Sequence, residues 1–231
     1  MRKGILIVAL LALFAGTANA GILFDNSQNG GENVVLWDND IVPNGFSGRA
    51  ISPPSFPDIR VADDFTVPPG DTWWIKDAHF NIIEDAGWTH GGEVTVTFWD
   101  DVNNFPGARI AERTVSMEDG KFERMDTNDE YFGRADFDYW VAFNDQIELG
   151  GGKYWISIRS DLGGGAGTNY WMTSKGGPND SKTGAFSLDE GNSWNDEGAG
   201  WHHAFTITGT PEPTSLLLLG LGGLAILRRR R

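Results

Sequence analysis

The chain has 231 residues, no cysteine and a formal net charge of −14. Six of the 18 basic residues and one of the 32 acidic residues lie in two end segments, 1–20 and 210–231, which leaves 12 positive and 31 negative charges, a net of −19, between them. Nucleic acid and anionic lipid are therefore not expected as partners, and disulfides, thiol nucleophiles and cysteine zinc sites are excluded.

The first twenty residues show the ordered signals of a secretory signal peptide. Two basic residues precede an apolar stretch over 4–14, and Ala18 and Ala20 are small residues at the two positions that a signal peptidase reads. We predict a signal helix over 1–20, removed by signal peptidase after Ala20. The chain is therefore expected to be exported.

Residues 21–209 are predicted to form one all-β domain, and about 190 residues are enough to bury one core. Apolar and polar residues alternate over 94–99 and 154–159, which is typical of strands with one buried face. Further strands are predicted over 34–37, 61–67, 73–83, 108–116, 137–149 and 202–208. Turn signals separate them at 68–71, 104–107, 150–152 and 176–178. The pattern favours an antiparallel β-sandwich, jelly-roll-like, over an α/β fold.

Two pairs of adjacent acids, 63–64 and 100–101, could resemble the carboxylates of a glycosidase. Neighbours on a strand point to opposite faces, whereas a hydrolase needs two carboxylates that face one bond. We interpret both pairs as solvated strand ends. The chain also lacks the G-x-S-x-G, H-E-x-x-H and Walker motifs, so we expect no enzymatic activity.

No cofactor is expected from the sequence, although one loop has the composition of a structural calcium site. Asp100, Asp101, Asn103 and Asn104 place hard oxygen ligands in one loop. Their spacing is not that of an EF-hand, and the alternative is a loop of turn-forming Asp and Asn residues.

Two adjacent histidines, His202 and His203, lie in a predicted strand. Because adjacent strand residues point to opposite faces, the two rings are not expected to share a metal ion. We interpret them as strand residues with hydrogen-bonded rings.

Two of the ten tryptophans, Trp88 and Trp201, lie in glycine-rich loop sequence. An aromatic ring displayed in this way could stack on a sugar ring. The other interpretation is packing against the sheet, as expected for the tryptophans in or beside strands.

Residues 187–194 match the pattern S-x-D-x-G-x-[ST]-W, whose members here are Ser187, Asp189, Gly191, Ser193 and Trp194. The segment resembles the Asp-box hairpin of bacterial sialidases and other secreted proteins. The resemblance implies a structural hairpin away from any active site. Asp189 is expected to accept backbone N–H groups and Gly191 to adopt a positive φ. Sialidases repeat the motif, whereas this chain has it once.

The C-terminal segment combines three features. The tripeptide Pro211, Glu212 and Pro213 is followed by an apolar segment over 214–227. Four basic residues then end it, namely Arg228, Arg229, Arg230 and Arg231. Together they resemble the PEP-CTERM sorting domain of exopolysaccharide-producing Gram-negative bacteria, assigned here to 210–231.

The resemblance implies that an exosortase recognises the tripeptide and removes the tail. The twelve residues 216–227 would rise about 18 Å as a helix, against a hydrocarbon core of about 30 Å. Such a segment suits a transient stay in the inner membrane, with the arginines in the cytoplasm. The expected destination is the cell surface or the extracellular space.

The leading hypothesis for function is a structural or adhesive component of the surface or extracellular matrix. An association with exopolysaccharide and biofilm is implied by the resemblance alone. A carbohydrate-binding module is the first alternative, and an exposed row of aromatic rings would favour it. A secreted hydrolase with an unrecognised carboxylate pair is the second.

Overall fold

In a computed structural model of the protein, the described residues are 35–38, 60–131, 133–163, 167–174, 184–196 and 202–212. They form β-strands and no helix, which confirms the predicted all-β class for this part of the chain. No helix among them has the length and apolarity to cross a bilayer. The predicted signal helix over 1–20 and the apolar helix over 214–227 lie outside these residues.

The strands are β1 (Val35–Asp38), β2 (Arg60–Glu84), β3 (His90–Asp101), β4 (Pro106–Ser116), β5 (Phe122–Tyr131), β6 (Arg134–Leu162), β7 (Asn169–Trp171), β8 (Thr173–Ser174), β9 (Ala185–Ser187), β10 (Asn195–Asp196), β11 (His202–His203) and β12 (Phe205–Glu212). All of their pairings are antiparallel. Strands β8 and β11 form a small sheet of their own, and the other ten share one hydrogen-bonded sheet.

A long ribbon of two strands organises the large sheet. Strand β2 has 25 residues and β6 has 29, and they pair from Val61 opposite Ile158 to Glu84 opposite Ala135. The second edge of β2 carries β9, β12 and β7 in turn, and the second edge of β6 carries β3 and β5. Because β2 and β6 are continuous, their neighbours on both sides belong to one antiparallel sheet. The sandwich and jelly-roll descriptions stay predictions.

The segments 68–71 and 150–152 do not reverse the chain as the sequence predicted. Each lies inside a long strand, and the register of the ribbon shifts between Val67 and Thr72. A Cβ atom on Gly151 would lie 2.8 Å from the carbonyl oxygen of Pro68. The Pro-Pro-Gly segment is therefore a bulge that the ribbon accommodates because a glycine faces it.

The main core lies on one face of the strands. Phe65 of β2 contacts Phe98 of β3 and Phe205 of β12, with ring centroids 6.2 and 6.5 Å apart. Phe98 in turn contacts Phe143 of β6 at 5.8 Å. These rings join the two edges of the ribbon into one buried cluster.

The opposite face of the β2, β3 and β6 segment is also buried, which the predicted one-sided alternation missed. Thr97, Trp99 and Trp155 are 0, 3 and 0 % exposed. Trp194, which follows the Asp-box turn, packs on this second cluster. A loop that folds back over a strand can bury its outer face, and period-two alternation carries no information about such a loop.

Candidate functional site

The predicted sorting tripeptide begins within the folded part of the chain. Strand β12 continues to Glu212, with Pro211 opposite Trp73 and Glu212 opposite Thr72. Pro213 and the apolar and basic segments that follow lie outside the described residues. The first two residues of the tripeptide are therefore held at the edge of β2, with no spacer between the domain and the motif.

The predicted Asp-box hairpin is present between β9 and β10. Asp189 accepts hydrogen bonds from the backbone N–H of Ser193 at 2.9 Å and from the hydroxyl groups of Ser193 and Ser187 at 2.6 and 2.7 Å. The bonds from Ser193 and Ser187 hold the pKa of Asp189 below its ordinary value. Gly191 has φ 88°, the left-handed conformation expected of it.

The hairpin lies against the outer face of the sheet. Trp194 contacts Trp99 edge to face, with ring centroids 5.3 Å apart. A Cβ atom on Gly191 would lie 2.6 Å from the Trp99 ring, so glycine is required by space as well as by φ. The contacts within the described residues support a packing role for the motif.

Replacing Asp189 with alanine is expected to lower the Tm of the domain, because the Ser193 N–H and two hydroxyl groups lose their acceptor. Leu188→Ala is the matched control, since Leu188 is 55 % exposed and its truncation should leave Tm unchanged. Circular dichroism melts of both variants measure the difference. Equal Tm values for the two variants would contradict the assigned role.

The predicted calcium loop holds a lysine ammonium close to its oxygens. Asp101 accepts a hydrogen bond from Trp155 Nε1 at 2.8 Å, and Asn104 Oδ1 accepts one from Lys153 Nζ at 3.3 Å. Lys153 Nζ also lies 3.9 Å from Asp101 Oδ1. These two predicted ligands are thus engaged by protein groups.

The same loop has the backbone of a tight turn. Asn103 and Asn104 have φ 57° and 62°, and the N–H of Asn104 donates to Asp101 Oδ2 at 3.3 Å. The described geometry fits the turn-forming alternative. A calcium ion bound by this loop stays a prediction.

The acid pair 63–64 is buried near the start of β2, so its interpretation as a solvated pair was wrong. Asp63 is 0 % exposed and Asp64 3 %. Asp64 Oδ2 lies 3.0 Å from Lys153 Nζ, and Asp63 Oδ1 lies 3.2 Å from His202 Nδ1. Lys153 and His202 thus contact the two carboxylates in the interior, and sequence alternation gives no sign of these contacts.

The two histidines diverge as predicted from their adjacency. The ring of His202 lies at Asp63, whereas the ring of His203 stacks on Trp171 with centroids 4.6 Å apart. His202 therefore joins a polar cluster, and His203 joins an aromatic contact. Sequence reasoning separated the two rings but did not find the carboxylate 139 residues away in the chain.

Trp88 does not display its ring to solvent, because its residue is only 9 % exposed. The ring meets His90 edge to face at 6.3 Å. It is therefore not the exposed stacking surface that the sugar hypothesis requires. Trp201 lies outside the described residues, and its role as a sugar contact stays a prediction.

A second buried polar cluster was missed by sequence reasoning. Glu84, 4 % exposed, accepts hydrogen bonds from Arg124 Nε and Nη2 at 2.7 and 2.5 Å and from the Tyr139 hydroxyl at 2.5 Å. The ring of His90 lies 5.4 Å from the ring of Tyr139. Burial lowers the pKa of His90 to about 4, so this imidazole is neutral near pH 7. Within this cluster Glu84 and Arg124 form an ion pair, and Tyr139 donates a further hydrogen bond to Glu84.

A family model described as the PEP-CTERM protein-sorting motif matches residues 210–231. The match covers the tripeptide, the apolar segment and the four arginines, and it bears out the resemblance of the tail. A comparison with curated proteins found no match. The chain therefore carries a PEP-CTERM sorting motif at its end, and the motif implies export and processing by an exosortase.

Proposed function

We propose that this protein is a non-enzymatic, structural or adhesive component of the cell surface or extracellular matrix. The observation that carries the proposal is the sorting motif over 210–231, which joins the folded domain at the end of β12. Export by the signal peptide brings the chain to the inner membrane. The exosortase then removes the tail and frees the domain for the surface.

The buried acids of the described residues support a structural role over a hydrolase. Glu84 is bound by Arg124 and Tyr139, and Asp64 lies 3.0 Å from Lys153. Carboxylates engaged in this way stabilise the fold, whereas a glycosidase holds two of them facing one substrate bond. We further propose that the strands close into a two-layer sandwich, because Phe98 and Phe143 pack face to edge across the core.

The proposal is tested in a host that has the matching exosortase. Mass spectrometry of the protein from the surface fraction should find a chain that begins at Gly21 and ends near residue 211. In the same host, deletion of the protein should reduce the polysaccharide that washed cells retain, and complementation should restore it. An intact tail on surface-located protein would contradict the sorting step, and unchanged retention would contradict the structural role.

A further inference from the structure

Three side chains from two distant parts of the sequence come together beside β2. Asp63 and Asp64 come from β2 and His202 from β11, and each offers one ligand atom within 4.8 Å of the other two. All three residues are buried. Two carboxylates and one imidazole are a donor set that proteins use for divalent metal ions.

The spacing of the first two donors already fits a metal ion. Asp63 Oδ1 lies 3.2 Å from His202 Nδ1. Donors about 2.0 to 2.2 Å from a tetrahedral zinc ion lie about 3.3 to 3.6 Å from one another. The ion could therefore replace the hydrogen bond between these two atoms with little movement of either side chain.

The Asp63 carboxylate is oriented by the backbone. Oδ1 accepts the N–H of Asp64 at 2.8 Å, and Oδ2 accepts the N–H of His203 at 2.5 Å. Hydrogen bonds of this kind from a second layer fix the direction of metal ligands. The ligand oxygen is thus held in place before any ion arrives.

The surroundings of Asp64 also point to a cation, independently of the spacing between Asp63 and His202. Asp64 Oδ2 lies 3.0 Å from Lys153 Nζ, whereas its Oδ1 is buried and has no hydrogen-bond partner among the described residues. A buried carboxylate oxygen with no donor is costly unless a cation or a donor reaches it. An ion shared with Asp63 and His202 would contact this Oδ1, and Lys153 would keep its contact with Oδ2.

We propose that Asp63, Asp64 and His202 bind one divalent transition-metal ion, with Zn²⁺ as the best fit. The two carboxylates carry two negative charges and Lys153 one positive charge, so a dication is compatible with the burial of the cluster. The imidazole nitrogen favours zinc over Ca²⁺, which prefers six to eight oxygen ligands. The ion would tie β11 to β2 in a chain that has no cysteine for a disulfide.

The test uses the full chain, purified in detergent and stripped with a chelator. Calorimetric titration should show one Zn²⁺ bound per chain, and about a 100-fold excess over Kd should raise Tm by about 5 °C or more. Ca²⁺ and Mg²⁺ at the same concentrations should give smaller shifts. A wild-type chain that binds no zinc would overturn the proposal.

Variants then locate the ion. Asp64→Asn keeps the shape of the side chain and should weaken zinc binding at least about tenfold. Loss of a group that only hydrogen-bonds to a metal ligand already costs about tenfold or more, and loss of a ligand should cost at least as much. Asp138→Asn is the matched control, because Asp138 lies beside another histidine, with its Oδ2 3.4 Å from His79 Nδ1. Its zinc affinity should equal that of the wild type. Undiminished binding by Asp64→Asn would overturn the proposal.

A measurement on the wild type covers the case in which Asp64→Asn fails to fold. X-ray absorption of the zinc-loaded chain should show one imidazole among nitrogen and oxygen ligands at about 2.0 to 2.2 Å. His202→Gln, checked for native circular dichroism, should lose the imidazole signal and bind zinc at least about tenfold more weakly. A spectrum of the wild type without imidazole would contradict the assignment.

Discussion

Alanine in place of Glu84 is expected to lower the free energy of unfolding by about 3 kcal/mol. Arg124 and the Tyr139 hydroxyl would both lose the carboxylate that they contact at 2.5 to 2.7 Å. Removing one partner of a buried ion pair leaves the other charge without compensation, at a cost of about 3 to 5 kcal/mol. The lower end applies here because the Arg124 side chain keeps 29 % of its exposure to water.

Urea unfolding followed by circular dichroism measures this loss. Glu123→Ala, one residue before Arg124 on β5, is the matched control, because Glu123 is exposed and its removal should change stability by less than about 0.5 kcal/mol. Glu84→Gln should fall between the two, since the amide oxygen still accepts one hydrogen bond. A loss at Glu84→Ala no larger than that of the control would show that the ion pair does not stabilise the domain.

The local features of this fold could be predicted from the sequence. Alternation located the strands over 94–99 and 154–159, and the Asp-box spacing located the hairpin over 187–194. Both depend on residues within a few positions of one another, where backbone geometry fixes which side chains meet. The sorting motif is local in the same sense, since its parts follow one another in the chain.

The features that sequence reasoning missed depend on pairing between distant residues. Glu84 meets Arg124 across 40 positions and Tyr139 across 55, and Asp63 meets His202 across 139. The Glu84 contacts require the register of β2, β6 and β5, which alternation leaves open by any even number of residues. His202 reaches Asp63 from β11, which belongs to a separate sheet. The continuity of β2 through a Pro-Pro-Gly segment was missed for the same reason, because Gly151 of the partner strand makes room for it.

The largest effect is expected at the sorting tripeptide. Replacing Pro211, Glu212 and Pro213 together with alanine should leave export intact, since the signal peptide is unchanged, but abolish removal of the tail. The uncut protein should remain in the inner membrane with its arginines inside. Mass spectrometry of fractionated cells should find the complete tail on essentially all of the mutant protein and on none of the surface-located wild type.

Loss of strand pairing must be separated from loss of recognition, because Pro211 and Glu212 also extend β12 beside β2. Thr214→Ala with Ser215→Ala is the matched control, since it alters the tail next to the tripeptide without touching the described strand, and it should be processed normally. Alanine at position 211 restores a backbone N–H and is compatible with a strand, so the mutant domain should keep its Tm.

Because two residues of the tripeptide pair with Trp73 and Thr72, this end of β12 must detach from β2 before the exosortase can bind the tripeptide. A ten-residue Gly/Ser insertion between Thr210 and Pro211 would move the tripeptide away from the strand. It should therefore speed tail removal in the wild type but not rescue the triple-alanine mutant. Release of that mutant at the normal rate would mean that the tripeptide is not the recognition element.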